Sequence, residues 1–167
     1  MQFSYERLES CWEDIVLLMS IHFASLGRPY RPVRERYQSF EDSDCLFAVT
    51  ARDNGVVVGF ALIYVFRSMH NQRVGAQEDM FYLLPTYRKG WNAVRLLKMV
   101  EEECARRGAD ELLMTAEIGS KAGGILLARK YDTVAQQYRK SFSGANSPST
   151  NRRRVLDEPV SQERANQ

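Results

Sequence analysis

The stretch Glu78–Arg107 constrains this chain more than any other. An apolar segment, Met80-Phe-Tyr-Leu-Leu84, stops at Pro85. A short polar loop, Thr86-Tyr-Arg-Lys-Gly90, follows, and a long amphipathic helix is expected from Trp91 to Arg107. Strand, basic loop and helix in this order present free backbone N–H groups to an anion, because the first turn of a helix leaves about four of them unbonded. Phosphate is the usual guest, and Arg88 and Lys89 add charge at the same place. The loop is not a P-loop, since the G-x-x-x-x-G-K-[ST] spacing is missing. It is not a dinucleotide fingerprint either, because Gly90 stands alone.

The flanking chain supplies partners for this unit. Met1–Arg7 alternates and reads as a short strand. Trp12, Ile15, Val16, Met19, Phe23 and Leu26 recur at helical spacing, and Gly27 closes that helix. His22 lies beside the apolar stripe and reads as structural. Val33–Phe40 is expected as a second helix, with Pro32 near its first turn. The acidic run Glu41-Asp-Ser-Asp44 reads as a solvated loop. Cys45–Ala51 and Val56–Phe66 form a hairpin across Asn54-Gly55, where both turn residues tolerate positive φ. Gly59 marks a bulge or a close backbone approach. Gln77–Leu84 is the next strand, so three antiparallel strands precede the loop. Leu112–Ile118, Ile125–Lys130 and Tyr131–Phe142 are expected as strand, short helix and final strand. The crossover through the Trp91–Arg107 helix implies local parallel pairing.

A chain of 167 residues with 44% hydrophobic content fits one domain with a sizeable core. We expect it over residues 1–142, followed by a polar tail, 143–167, without apolar periodicity. A net charge of +2 does not by itself argue for nucleic acid. Arg152-Arg-Arg154 in the tail leaves a nucleic-acid or acidic partner open. Three scattered cysteines, Cys11, Cys45 and Cys104, form no zinc pattern and point to a reducing compartment, the cytoplasm. No signal peptide is expected at the acidic N-terminus, and no apolar run approaches the ~20 residues that span a bilayer. His22 and His70 lack metal-binding spacing, so no metal is expected.

Leu84-Pro-Thr-Tyr-Arg-Lys-Gly-Trp-Asn-Ala93 resembles the acyl-CoA loop of the GNAT (Gcn5-related N-acetyltransferase) superfamily, Q/R-x-x-G-x-G/A preceded by V-x-P-x-Y-R. Arg88 takes the first position and Ala93 the last. Trp91 stands at the middle glycine, with Gly90 one step early. Together with His70, Ala76-Gln-Glu-Asp79 and the helix Leu96–Glu101, the stretch is similar to a subgroup of GNATs frequent in bacteriophage genomes. The resemblance covers about residues 5–142.

It implies an α+β GNAT fold: a mixed, mostly antiparallel sheet of about six to seven strands flanked by about four helices. The implied activity is direct transfer from acetyl-CoA to a primary amine on a small molecule, a protein or a modified nucleotide, with a homodimer left open. The carrier site would comprise Leu83, Leu84, Arg88, Lys89, Gly90, Trp91, Asn92, Ala93 and Lys121. A backbone N–H, that of Leu83 or Leu84, would polarise the thioester. Counting back from Leu83 by twos gives Phe81 and Asp79, so strand parity favours Asp79 as general base. Glu78 stays open, because bulges are common near active sites. His70 is a further base candidate. The tyrosine that protonates the leaving thiolate in many relatives is replaced by Ala128, which leaves Tyr131 or Tyr138 for the role. A GNAT-fold binding module without catalysis is the alternative reading.

Overall fold

The computed structural model describes residues 1–135, 137, 138 and 140. Among the described residues every helix and strand lies within the unit Met1–Gln137. The elements run β1 (Gln2–Glu6), α1 (Leu8–Ser25), α2 (Arg34–Asp42), β2 (Leu46–Asp53), β3 (Val56–Arg67), β4 (Val74–Leu83), a single 3-10 turn (Pro85–Tyr87), α3 (Asn92–Arg106), β5 (Glu111–Leu113) and α4 (Lys121–Ala128). The strands form one sheet in sequence order. Every pairing is antiparallel except β4 with β5, which the α3 crossover makes parallel.

The sheet is buried on both faces, which is why β3 reads as a continuous apolar run. Phe60 and Leu62 of β3 join Leu46 and Ala48 of β2 beneath Leu8, Trp12, Ile15 and Met19 of α1. Ala61 and Ile63 point the other way, with Phe47, Val49 and Leu83, against Leu96, Val100 and Cys104 of α3. Two irregularities shape the sheet. The β2–β3 register shifts between Ala51 and Arg52, beside Gly59. The β3–β4 register shifts between Leu62 and Ile63, so that Met80 and Glu78 face successive residues of β3 and Asp79 is left over as a bulge.

Several expectations need correcting. The acidic run is not a solvated loop. Glu41 is buried, accepts the Leu8 N–H at 2.9 Å and pairs with Arg7. Asp42 holds Arg7 at 2.8 Å, and Asp44 holds Arg107 at 2.6 Å. β4 starts three residues earlier than the pattern suggested, since Val74–Ala76 pair with the end of β3. β5 spans Glu111–Leu113 rather than Leu112–Ile118, because the Glu78 side chain takes the Thr115 N–H that the β4 backbone would otherwise bond. α4 opens at Lys121, not Ile125. Ser120 caps it, its Oγ accepting the Gly123 N–H at 3.1 Å. Residues Tyr131–Ala135 are not a strand. The Tyr131 N–H instead bonds the Leu126 carbonyl at 3.1 Å and closes α4, with Lys130 at φ +66°. The sheet therefore has five strands among the described residues, fewer than expected. Residues 141 and 142, and the tail with Arg152–Arg154, lie outside the described residues.

Candidate active site

The bulge in β4 separates the two adjacent carboxylates. Simple alternation would set Asp79 with Phe81 and Leu83. The extra residue breaks that parity and sends Glu78 to the α3 face and Asp79 to the face of α1 and α2. Glu78 Oε2 accepts the Thr115 N–H at 2.9 Å, and the Phe81 N–H also points at the carboxylate. Burial pushes its pKa up and the Asp79 charge adds to this, while the two N–H bonds oppose the shift. Asp79 is exposed to solvent yet lies close to the Tyr64 and Tyr37 hydroxyls, which favour its charged form. Desolvation by the protein packed around it outweighs them and raises its pKa. The sequence pattern gave no signal for Tyr37 or Tyr64; only the bulge brings them to Asp79.

Past the bulge, β4 loses its neighbour. Pairing with β5 ends at Gln77 opposite Leu113. Leu84 donates its N–H to the Val58 carbonyl at 2.9 Å and so belongs to the β3 side. Backbone groups along a strand alternate between its edges, so the Leu83 N–H faces the open side, toward the gap that β5 leaves. Glu78, Phe81, Ala93, Leu97, Met114 and Ile125 are among the residues lining a cleft of about 110 Å³ there, between β4, α3 and α4.

The anion-binding end sits at the same edge. Pro85–Tyr87 makes a tight turn whose Tyr87 hydroxyl donates to Asp53 Oδ2 at 3.0 Å. Asn92 Nδ2 donates to the Tyr87 carbonyl at 3.0 Å and ties the start of α3 to that turn. Gly90 has φ +61° and no atom near the place a Cβ would occupy. The first helical bond runs from the Arg95 N–H to the Trp91 carbonyl at 2.8 Å, which leaves the N–H groups of Asn92, Ala93 and Val94 without helical acceptors. Arg88 turns inward: its Nε donates to the Leu83 carbonyl at 2.7 Å and its guanidinium covers the Tyr82 ring at 5.1 Å. Lys89 is exposed, and the Trp91 indole is 71% exposed at the mouth of the turn.

The remaining predicted residues are placed less centrally. Lys121 is exposed at the first turn of α4, beside the cleft-lining Ala122. The Tyr131 hydroxyl donates to Glu101 Oε1 of α3 at 3.1 Å, in a cluster with Arg129, and is not among the residues lining the cleft between β4, α3 and α4. His70 is exposed in the turn before β4 begins, away from the Pro85 end of that strand. His22 packs its ring 4.9 Å from Tyr82, where burial and the charges of Arg88 and Arg28 lower its pKa. Among the described residues no group of His, Cys, Asp or Glu could hold a metal ion, and no helix is long and apolar enough to cross a membrane.

A sheet that opens along a parallel edge, with two helices on one face and the crossover helix on the other, is the GNAT fold. The acetyltransferase (GNAT) family model matches residues 9–122, and the chain belongs to that family of enzymes. Solved structures agree on the fold. A ribosomal-protein-alanine N-acetyltransferase from Brucella melitensis biovar Abortus 2308 is 18% identical, with 85% of this chain and 100% of that one covered and a TM-score of 0.64. An acetyltransferase from Trypanosoma brucei is 12% identical, with 84% and 99% covered and a TM-score of 0.68. An aminoglycoside acetyltransferase from an uncultured soil metagenomic sample, solved with sisomicin, is 12% identical, with 87% and 96% covered and a TM-score of 0.67. No curated protein matches the sequence.

Proposed function

We propose that this enzyme uses acetyl-CoA and transfers its acetyl group directly to a primary amine. One observation carries the reading: beyond Gln77 the β4 edge is open, and the Leu83 N–H faces the gap at the same end of the strand as the start of α3. The residues fit such a carrier. The Gly90 turn and the free N–H groups of Asn92–Val94 suit a pyrophosphate, with Lys89 adding charge. The mostly apolar cleft between β4 and α4 suits the pantetheine arm, with Lys121 at its rim. Trp91 offers an exposed ring at the mouth of the turn. Acetyl-CoA supplies the activated acyl group as a thioester.

The chain's own groups account for the rest. The Leu83 N–H stabilises the oxygen on which charge develops, as an oxyanion-hole donor does. Asp79 takes the proton from the acceptor ammonium, directly or through a water, and its raised pKa brings it nearer the range useful to a base. The neutral amine attacks the thioester carbonyl, and the oxyanion that forms collapses with cleavage of the C–S bond; CoA leaves as a thiolate that takes up the proton released by the new amide nitrogen, directly or through water, so no enzyme nucleophile is required. Glu78 keeps the strands apart, because it spends its carboxylate on the Thr115 N–H. Tyr131 takes no part in this scheme, since its hydroxyl is bound to Glu101.

Thermal unfolding with and without acetyl-CoA and free CoA, repeated for Gly90→Glu, tests the carrier. Ligand at 100 times its dissociation constant adds about 2.7 kcal/mol. The variant places a side chain on a positive-φ turn and a negative charge beside the expected phosphate, so it should lose the shift. No shift in the wild-type protein at millimolar acetyl-CoA refutes the reading.

A further inference from the structure

The acceptor side carries a second cleft, of about 250 Å³, which Arg31, Val33, Arg36, Tyr37, Phe40 and Tyr64 help to line. Tyr37 and Tyr64 are among its lining residues, and the same two hydroxyls lie close to the Asp79 carboxylate. The proposed base is thus next to the cleft through these two tyrosines rather than part of its lining.

Its chemistry is two-sided. Its tyrosine side neighbours Asp79, whose charge suits an ammonium. Two guanidinium groups also line it. Arg7, Arg34, Arg52, Arg73, Arg106, Arg107 and Arg129 each have a carboxylate partner. No ion pair engages Arg31 or Arg36 among the described residues. Both are exposed, and both line this cleft. α2 also opens here, at Val33, with no side chain capping its first N–H groups. The other lining side chains are aromatic and apolar. The Phe40 ring lies edge-on to Tyr64 at 5.6 Å, and Tyr37 is held by Trp12 at 5.3 Å.

From this arrangement, and resting on the transfer reading above, we infer that the acceptor is a small primary amine that also bears a carboxylate or phosphate, joined through an apolar, single-ring-sized body. The amine meets Asp79, the body lies against Tyr37, Phe40 and Tyr64, and the anion meets Arg31 and Arg36. Drug-sized ligands occupy pockets of about 300–1,000 Å³; this one is smaller and suits a compact molecule. A polyamine is disfavoured, because its distal ammonium would meet the two arginines.

The test uses the full chain with acetyl-CoA, following thiol release. The acceptors are para-(aminomethyl)benzoate, benzylamine (the same body without the carboxylate), para-(aminomethyl)phenyl phosphate and spermidine. Wild-type protein should favour the two anionic amines, and the better of them identifies the anion. The benzoate should exceed benzylamine in kcat/KM by about tenfold or more, as loss of a charge-assisted hydrogen bond implies. The double variant Arg31→Gln, Arg36→Gln should erase that preference by raising KM for the anionic amines only. A matching thermal midpoint should show that the variant is folded. Preference for benzylamine or spermidine, or an equal loss for all acceptors in the variant, overturns the inference. So does an absence of turnover with all four amines in a protein that acetyl-CoA stabilises. If acetyl-CoA gives no stabilisation either, the transfer reading fails first and this inference falls with it.

Discussion

Gly59→Ala should damage the site through the sheet rather than through any contact with a ligand. Gly59 sits in β3 directly opposite Leu83. A Cβ built there would lie 2.3 Å from Leu83 Cδ2 and 2.8 Å from the Tyr82 carbonyl oxygen. The leucine methyl can rotate away. The carbonyl cannot, because it belongs to the ladder between β3 and β4, so the strands must part by a few tenths of an ångström. Overpacking of this kind costs roughly 1–3 kcal/mol, and the lower entropy of an unfolded alanine chain returns about 0.4–1 kcal/mol. The net loss is about 1–2 kcal/mol, or roughly 4 °C in thermal midpoint per kcal/mol for a domain of this size. The strand that moves carries the Leu83 N–H. Removing such a donor outright costs about 10²–10³ in kcat, so a partial displacement should cost about tenfold. Gly108→Ala is the control. Gly108 has φ +73° and open space around it, so its cost is backbone strain of about 1–2 kcal/mol, at the Val74 end of β4 and away from Leu83. Denaturant unfolding and acetyl-transfer kinetics on both variants decide the matter. Equal stability losses with a kcat defect only in Gly59→Ala support the argument. A Gly59→Ala protein of wild-type stability, or one as active as Gly108→Ala, refutes it.

Three further outcomes can be measured with the same preparations. Desolvation raises the Asp79 pKa, so kcat/KM should climb with pH through a value above that of a free aspartate, and Asp79→Asn should remove that acid limb along with most of the activity. Glu6 is held below its ordinary 4.5, first by hydrogen bonding to Arg52 and also by Thr50, against the cost of its burial. That stabilisation is present above the unfolded-state pKa and is lost as pH falls through the folded one, so Glu6→Gln should be less stable by about 1–3 kcal/mol at pH 7 and should unfold with a flatter pH dependence below pH 4.5. Tyr131→Phe removes the hydroxyl that donates to Glu101 at 3.1 Å; it should lower stability by about 1 kcal/mol and leave kcat within about twofold, whereas a large kcat loss would return this tyrosine to the chemistry.

What could be read in advance, and what could not, divides along physical lines. The helices α1 and α3 and the hairpin β2–β3 show in the sequence because their signals are local: apolar spacing of 3.6, an Asn-Gly turn, a basic loop after Pro85. Gly59 could be marked as a bulge or a close approach because an interior strand glycine has few other uses, and it turns out to be both. The early end of β5 was hidden because it depends on a side chain from another strand, Glu78, replacing a backbone partner for Thr115. Asp79 was a base candidate for the wrong geometric reason. Parity assumed an unbroken strand, and one extra residue in β4 reversed the faces of the two carboxylates. That same residue brings Asp79 to Tyr37 and Tyr64, partners that no spacing rule connects to it across such sequence distance. The bulge therefore leaves Glu78 to hold β4 and β5 apart on the carrier side, and it turns Asp79 toward the arginine-lined cleft on the other. Deleting Asp79 from β4 would restore the simple alternation with Glu78 still opposite Ile63 on the carrier side, so the deletion, like Asp79→Asn, should remove the base while Glu78 keeps its bond to the Thr115 N–H; loss of acetyl-CoA stabilisation in the deletion variant would refute this.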